Sequence, residues 1–309
     1  MKERTITALV ILVIFVPLLL VDALFPLFQL LMIVLAIIAS FEMLKMYDKE
    51  KALPLSMKIV TAVCSLLLYL AVLVELEPKS IPNQALMLFN IKLKFLPTVI
   101  LILLILFTST VFCHEYDASA IGKSLTTILY VGIGFGAITI LKYLGTRYIV
   151  YLFLITICTD SFAYIFGMLL GKHKMAPTIS PKKTWEGAIG GTVVATIIAT
   201  CFGLFYGDLF GNFFGNTSST ILDKVVDVNR LGYGGVVVII VFMTLFGSVF
   251  SQIGDLVASR MKRTYGIKDF GNCFPGHGGV LDRLDSAIMT SVFLLCIFQI
   301  LSYLIPVMS

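Results

Sequence analysis

The chain has 309 residues, a net charge of +5, a mean hydropathy of +1.00 and only 13% charged residues. Soluble domains carry about 25% charge, and a water-facing surface needs polar cover that this composition lacks, so a soluble globular protein is excluded. The mild positive charge suits basic loops near anionic lipid or an anionic substrate. A chain this apolar, with so small an excess of cations, is not a nucleic-acid binder.

Nine apolar stretches are long enough to cross a bilayer, which takes about 20 residues. They are 6–24, 26–44, 57–76, 95–113, 124–141, 149–170, 188–206, 235–254 and 286–306. The first follows Lys2 and Arg4 as a signal peptide would, but no small-residue cleavage site follows it, so it reads as a retained span. The first two are joined so tightly around Asp22 and Phe25-Pro26 that they form a hairpin. The fourth and fifth are the weakest, being short or interrupted by Gly132, Gly134 and Gly136. Backbone groups in lipid must pair internally, so the spans are helices, and the absence of strand alternation excludes a β-barrel. The expected fold is an all-α polytopic bundle of about nine membrane helices. It reads as one integral membrane domain, with N-terminal helices at 1–148 and a core at 149–309. The segment 208–230 is the longest loop on the far side, and its Asn216-Thr217-Ser218 triplet reads as a chance match to a glycosylation sequon. The six cysteines form no ligand-spaced cluster, and most lie in apolar runs, which argues against a disulfide framework or a zinc site.

With nine spans, sixteen of the 23 Lys and Arg residues fall on the N-terminal side and seven on the other. By the positive-inside rule the N-terminal side is cytoplasmic and the protein belongs in the cell membrane. The excess rests on two loops, 171–187 and 255–285, which also hold the chemistry.

The first loop carries Lys172, Lys174, Lys182 and Lys183, two prolines and Trp185, the only tryptophan. The second gathers Asp255, Ser259, Lys262, Arg263, Lys268, His277, Gly278, Gly279, Asp282, Arg283 and Asp285 within about thirty residues. Asp282 and Asp285 stand three apart and share a face if the last helix starts just before them. They either cap that helix or, with Asp255, hold a hard cation such as Mg²⁺. Cations, carboxylates and glycines together suit a polyphosphate. His277 either contacts phosphate or finishes a turn. Asp160 falls inside the sixth span, on the order of 15 Å from its cytoplasmic end at 1.5 Å per residue. A charge at that depth marks a functional site by default, the alternative being a hydrogen-bonded carboxyl that joins helices.

On these residues the chain resembles the phosphatidate cytidylyltransferases, or CDP-diacylglycerol synthases. The resemblance lies in Asp160-Ser161-Phe162-Ala163-Tyr164, in the stretch from Ser180-Pro181-Lys182-Lys183 to Trp185-Glu186-Gly187, and in Gly254-Asp255. It continues through Ser259-Arg260-Met261-Lys262-Arg263, Lys268-Asp269, His277-Gly278-Gly279 and Asp282-Arg283-Leu284-Asp285. It covers roughly 159–191 and 254–286, and before residue 149 it is only one of hydrophobic character. The resemblance implies that CTP and phosphatidic acid react at the bilayer to give CDP-diacylglycerol and pyrophosphate. It also implies Mg²⁺, with K⁺ as a candidate second cation, and a homodimer. Carried onto this chain, Asp255, Asp282 and Asp285 are the expected metal ligands, with Lys262 and Arg263 beside them as catalytic cations. Asp160, Ser180, Lys182, Lys183, Ser259, Lys268, His277, Gly278, Gly279 and Arg283 are the expected substrate contacts. Two rivals are a CDP-alcohol phosphotransferase, whose single-helix aspartate pattern is missing, and a transporter, which would need charges continuing into the largely apolar outer halves of the spans.

Overall fold

A computed structural model describes residues 13–76, 93–210, 220–223, 225–274, 276 and 278–306. Eight helices among them are long and apolar enough to cross a membrane, and the protein is a multi-pass membrane protein. They are α1 (Phe25–Tyr47), α2 (Leu55–Leu76), α3 (Phe95–Phe112), α4 (Ala118–Leu144), α5 (Thr146–Leu169), α6 (Trp185–Leu204), α7 (Val228–Thr264) and α8 (Leu281–Leu304). Residues 6–12 of the first expected span lie outside the described residues. Its later part, 13–20, is helical and leads through a 3-10 turn at Asp22–Leu24 into α1, where Pro26 occupies the first turn. The Asn216 triplet also lies outside the described residues.

Two differences from the sequence reading matter. The helix α7 runs ten residues past the expected end of its span, so 255–264 is helix and not loop. Its last turns are charged, and its amphipathic tail continues the ladder beyond the apolar stretch. The expected loop 171–187 holds a two-stranded antiparallel sheet, β1 (Lys174–Ala176) paired with β2 (Ser180–Thr184), with Lys174 opposite Thr184.

The chain divides into two compact units. The first comprises residues 1–143 and 261–284, so a stretch of the motif region belongs with the N-terminal helices. Here α2 and α4 approach closely. A Cβ on Gly132 would lie 2.9 Å from the Ser65 carbonyl, and one on Gly136 would lie 2.8 Å from Val72 Cγ1. The glycines that made this span look interrupted are its packing surface, as small residues are in membrane helix pairs. Hydrogen bonds from Tyr69 to Thr139 (3.2 Å) and from Thr61 to Ser124 (3.0 Å) join the same two helices. Lys123, on α4, pairs with Glu50 at 3.0 Å and sits over the rings of Tyr47 and Tyr265 at 5.8 and 5.9 Å. This anchors the turn after α7 to the helices of its own unit.

The second unit comprises residues 144–260 and 285–309. In it α5 packs closely along α6. Thr184 caps α6, its hydroxyl accepting from the Gly187 N–H at 3.2 Å. A Cβ on Gly187 would lie 2.6 Å from the Ala163 carbonyl, and one on Gly191 would lie 2.6 Å from that of Thr159. Hydroxyl ladders pin α7 to this pair, with Thr159 to Ser248 at 2.7 Å, Gln252 to Thr192 at 2.7 Å and Tyr151 to Thr244 at 2.6 Å. Arg147, which falls between the expected spans 124–141 and 149–170, is 1% exposed, donates to the Thr220 carbonyl at 3.0 Å and lies over the Tyr148 ring.

Gly191→Ala forces α5 and α6 apart and is expected to cost about 1–3 kcal/mol. The loss appears as a lower Tm of the detergent-solubilised protein. Gly234→Ala, whose added methyl meets open space, leaves Tm within about a degree of the parent.

Candidate active site

The motif residues form one polar cluster in each unit. In the second unit, α7 supplies Asp255, half-buried, and one turn further on Ser259, whose hydroxyl donates to Asp255 Oδ1 at 3.2 Å. Lys183, near the end of β2, places Nζ 2.5 Å from Asp255 Oδ2. From α5, Asp160 accepts from the Ser286 hydroxyl at 3.4 Å and is attracted by Lys183 and repelled by Asp255. Asp255 therefore meets an ammonium and a hydroxyl directly, while Asp160 holds one hydroxyl and lies within electrostatic range of both charged groups. Asp160 and the adjoining Ser161 and Tyr164 are exposed on α5, nine residues before its end at Leu169 and so on the order of 13 Å into the span.

The hairpin that carries Lys183 is held to α6 by Glu186. Its carboxylate accepts from the Lys172 and His173 N–H groups at 3.1 and 3.2 Å and meets His173 Nδ1 at 2.6 Å. The Trp185 N–H closes the hairpin on the His173 carbonyl at 3.0 Å. Ser180 opens β2 half-buried, while Lys182 is exposed. Gly254 brings α7 against α8, since a Cβ there would lie 2.6 Å from the Asp285 carbonyl. Asp285 is itself 9% exposed and accepts from the Ser286 N–H at 2.8 Å.

In the first unit the centre is Asp282, in the first turn of α8, with its side chain 5% exposed. Its Oδ1 meets Lys262 Nζ at 2.7 Å, and its Oδ2 accepts from the N–H groups of Phe270 and Gly279 at 2.8 and 2.9 Å. The Lys262 ammonium also lies over the Phe270 ring at 5.1 Å. The loop between α7 and α8 thus wraps around one carboxylate. It is shaped by Arg263 donating to the Ile267 carbonyl at 2.9 Å, and by the Phe274 N–H donating to the Gly278 carbonyl at 2.9 Å with Gly278 at φ 90°. Arg263, Lys268 and Arg283 are exposed. His277 lies outside the described residues.

α8 begins at Leu281, so Asp282 and Asp285 stand inside its first turns as their spacing requires. No group of three or more His, Cys, Asp or Glu that could hold a metal ion occurs among the described residues. The donor chemistry nevertheless suits a hard cation. Asp255 and Asp282 are oxygen donors whose charge is offset by a lysine ammonium in each case, and Asp285 lies at the helix contact made by Gly254.

One residue of this site went unseen at the sequence level. Glu42, near the end of α1, is 7% exposed and accepts from the Val280 and Leu281 N–H groups at 3.0 and 3.1 Å. The available signal was a carboxylate within a long apolar run, three residues before Lys45 and so easily taken for helix-end charge.

The sequence profile of the Cytidylyltransferase family matches residues 2–301. The phosphatidate cytidylyltransferase of Staphylococcus haemolyticus is 35% identical over 287 residues, covering 93% of this chain and 94% of the relative. The enzymes of the same name from Staphylococcus saprophyticus and Staphylococcus aureus are each 33% identical, again over 93% of this chain and 94% of the relative. The match runs through the N-terminal helices, where the motifs alone had shown no more than hydrophobic character, and the chain belongs to the cytidylyltransferase family.

Proposed function

We propose that this protein transfers a cytidylyl group from CTP to phosphatidic acid, giving CDP-diacylglycerol and pyrophosphate, on the cytoplasmic face of the cell membrane. The observation that carries this reading is the cluster of Asp160, Lys183 and Asp255. It runs from a charged helix end to a carboxylate exposed at bilayer depth. A reaction between a water-soluble nucleotide and a lipid headgroup needs polar groups across that range of depth. Full-length similarity to enzymes named for this activity supports the same conclusion.

The chemistry is an attack by a phosphate oxygen of phosphatidic acid on the α-phosphorus of CTP. One P–O bond forms, the bond from the α-phosphorus to the oxygen bridging to the β-phosphorus breaks, and pyrophosphate leaves. The nucleophile is already ionised, so no general base is required, and the obstacle is repulsion between anions. Lys183 and Lys262, now paired with carboxylates, are cations that phosphate oxygens can recruit. The exposed Lys182, Arg263, Lys268 and Arg283 raise the local concentration of nucleotide. Ser180, Ser259 and the N–H groups around Gly278 and Gly279 are hydrogen-bonding groups for the same anions. Asp255, Asp282 and Asp285 would hold Mg²⁺, which supplies charge neutralisation to the phosphates.

Purified protein given Mg²⁺, labelled CTP and phosphatidic acid is expected to form CDP-diacylglycerol and pyrophosphate in equal amounts, and a chelator stops the reaction. Absence of both products sinks the assignment. Asp282→Asn keeps the shape of the side chain but loses its charge. It is expected to lower kcat by about 100-fold or more while the protein still inserts and purifies as a folded species. Near-parental turnover would remove Asp282 from the reaction.

A further inference from the structure

Glu42 sits on a helix remote in sequence from every motif, yet its carboxylate is spent on the motif loop. Its two oxygens take the N–H groups of Val280 and Leu281, which are 238 and 239 residues away. These are among the N–H groups at the start of α8, which have no acceptor within their own helix. The residue that precedes α8, Val280, offers no side-chain oxygen to cap them. A carboxylate from α1 takes that role in trans, where the positive end of the helix dipole favours it.

The loop is cut to receive this side chain. An added Cβ on Gly279 would lie 2.5 Å from the Glu42 carboxylate, and one on Gly271 would overlap it as well. Three successive N–H groups are then divided between two carboxylates, with Gly279 donating to Asp282 and Val280 and Leu281 donating to Glu42. Lys262 is the ammonium that meets Asp282. Glu42 and Asp282 repel each other, so the peptide units between them are the surface against which both are set.

We infer that Glu42 is a positioning residue for the reaction: it fixes the peptide units 279–281 and through them the orientation of the Asp282 carboxylate. The inference rests on the reading that Asp282 serves cytidylyl transfer. It also gives the N-terminal helices a role in the chemistry beyond membrane anchoring.

The test uses the full-length protein in detergent. Glu42→Gln keeps the size but sets an amide NH₂ against one of the two backbone donors. Its kcat at saturating CTP and phosphatidic acid is expected to fall by between about 10- and 100-fold. KM for phosphatidic acid is expected to stay within about twofold, while the Mg²⁺ concentration giving half-maximal rate rises. Glu42→Asp, which keeps the charge at a shorter reach, is expected to recover a substantial part of the lost kcat, as a purely structural loss would not. Backbone hydrogen exchange at residues 279–281 should quicken in Glu42→Gln without a matching change in α3. Parental kcat in Glu42→Gln, or a loss that follows only the fraction of unfolded protein, overturns the inference. If Glu42→Gln does not fold, Glu42→Asp is read by kcat and hydrogen exchange together: a kcat below parental with quickened exchange at 279–281 and Tm retained supports the inference, and any other result overturns it. If the parent turns over neither substrate, the proposed function fails. Hydrogen exchange then still decides whether Glu42 orders the loop, with unchanged exchange counting against it.

Discussion

A carboxylate set among apolar helices persists only where positive charge or N–H donors meet it, because withdrawing an ion from water costs several kcal/mol. The architecture of this protein follows from meeting that requirement at each acidic motif residue. Asp255 draws on Lys183, delivered by a two-stranded hairpin that Glu186 and Trp185 fasten to α6, and Asp160 on the Ser286 hydroxyl. Asp282 draws on Lys262 and two N–H groups of the loop that encloses it. Glu42 draws on the start of α8. The two lysine pairs leave a partly buried cation beside an anion, so exchanging the carboxylate for a phosphate needs less further removal of water.

Glycine packing makes these arrangements possible. With no hydrophobic drive between helices inside lipid, close backbone approach and interhelical hydrogen bonds supply the cohesion. Gly187 and Gly191 let α5 and α6 touch, and Gly254 does the same for α7 and α8. Where α5 and α6 touch, Thr159 and Thr192 join them to α7 through hydrogen bonds with Ser248 and Gln252. The contacts that hold the second unit together are therefore on the same turns that carry Asp160, Asp255 and Asp285.

The helices were legible because lipid imposes a simple rule: about 20 apolar residues with no unpaired backbone. Seven of the expected spans, from 57–76 onward, and the second at 26–44 have their counterparts in α1 to α8. The end of α7 was not legible, because residues 255–264 are charged and hydropathy cannot distinguish a helix leaving the bilayer from a loop. The hairpin at Lys174–Ala176 and Ser180–Thr184 was hidden for a similar reason, since its strands are too short to show alternation. Gly132 and Gly136 were misread as weakness in a span because their worth lies in the neighbour they admit, which no single stretch of sequence displays.

The sequence by itself determined the membrane class, the helical architecture and the motif residues whose chemistry suits phosphates, since hydropathy and side-chain type are local properties of the chain. Only the tertiary structure decided which charge each carboxylate meets: Lys183 for Asp255, Lys262 for Asp282, and the Val280 and Leu281 N–H groups for Glu42. Those pairings join residues that are twenty to more than two hundred positions apart. They depend on helix packing and loop closure, and neither is written in the residues that surround each partner.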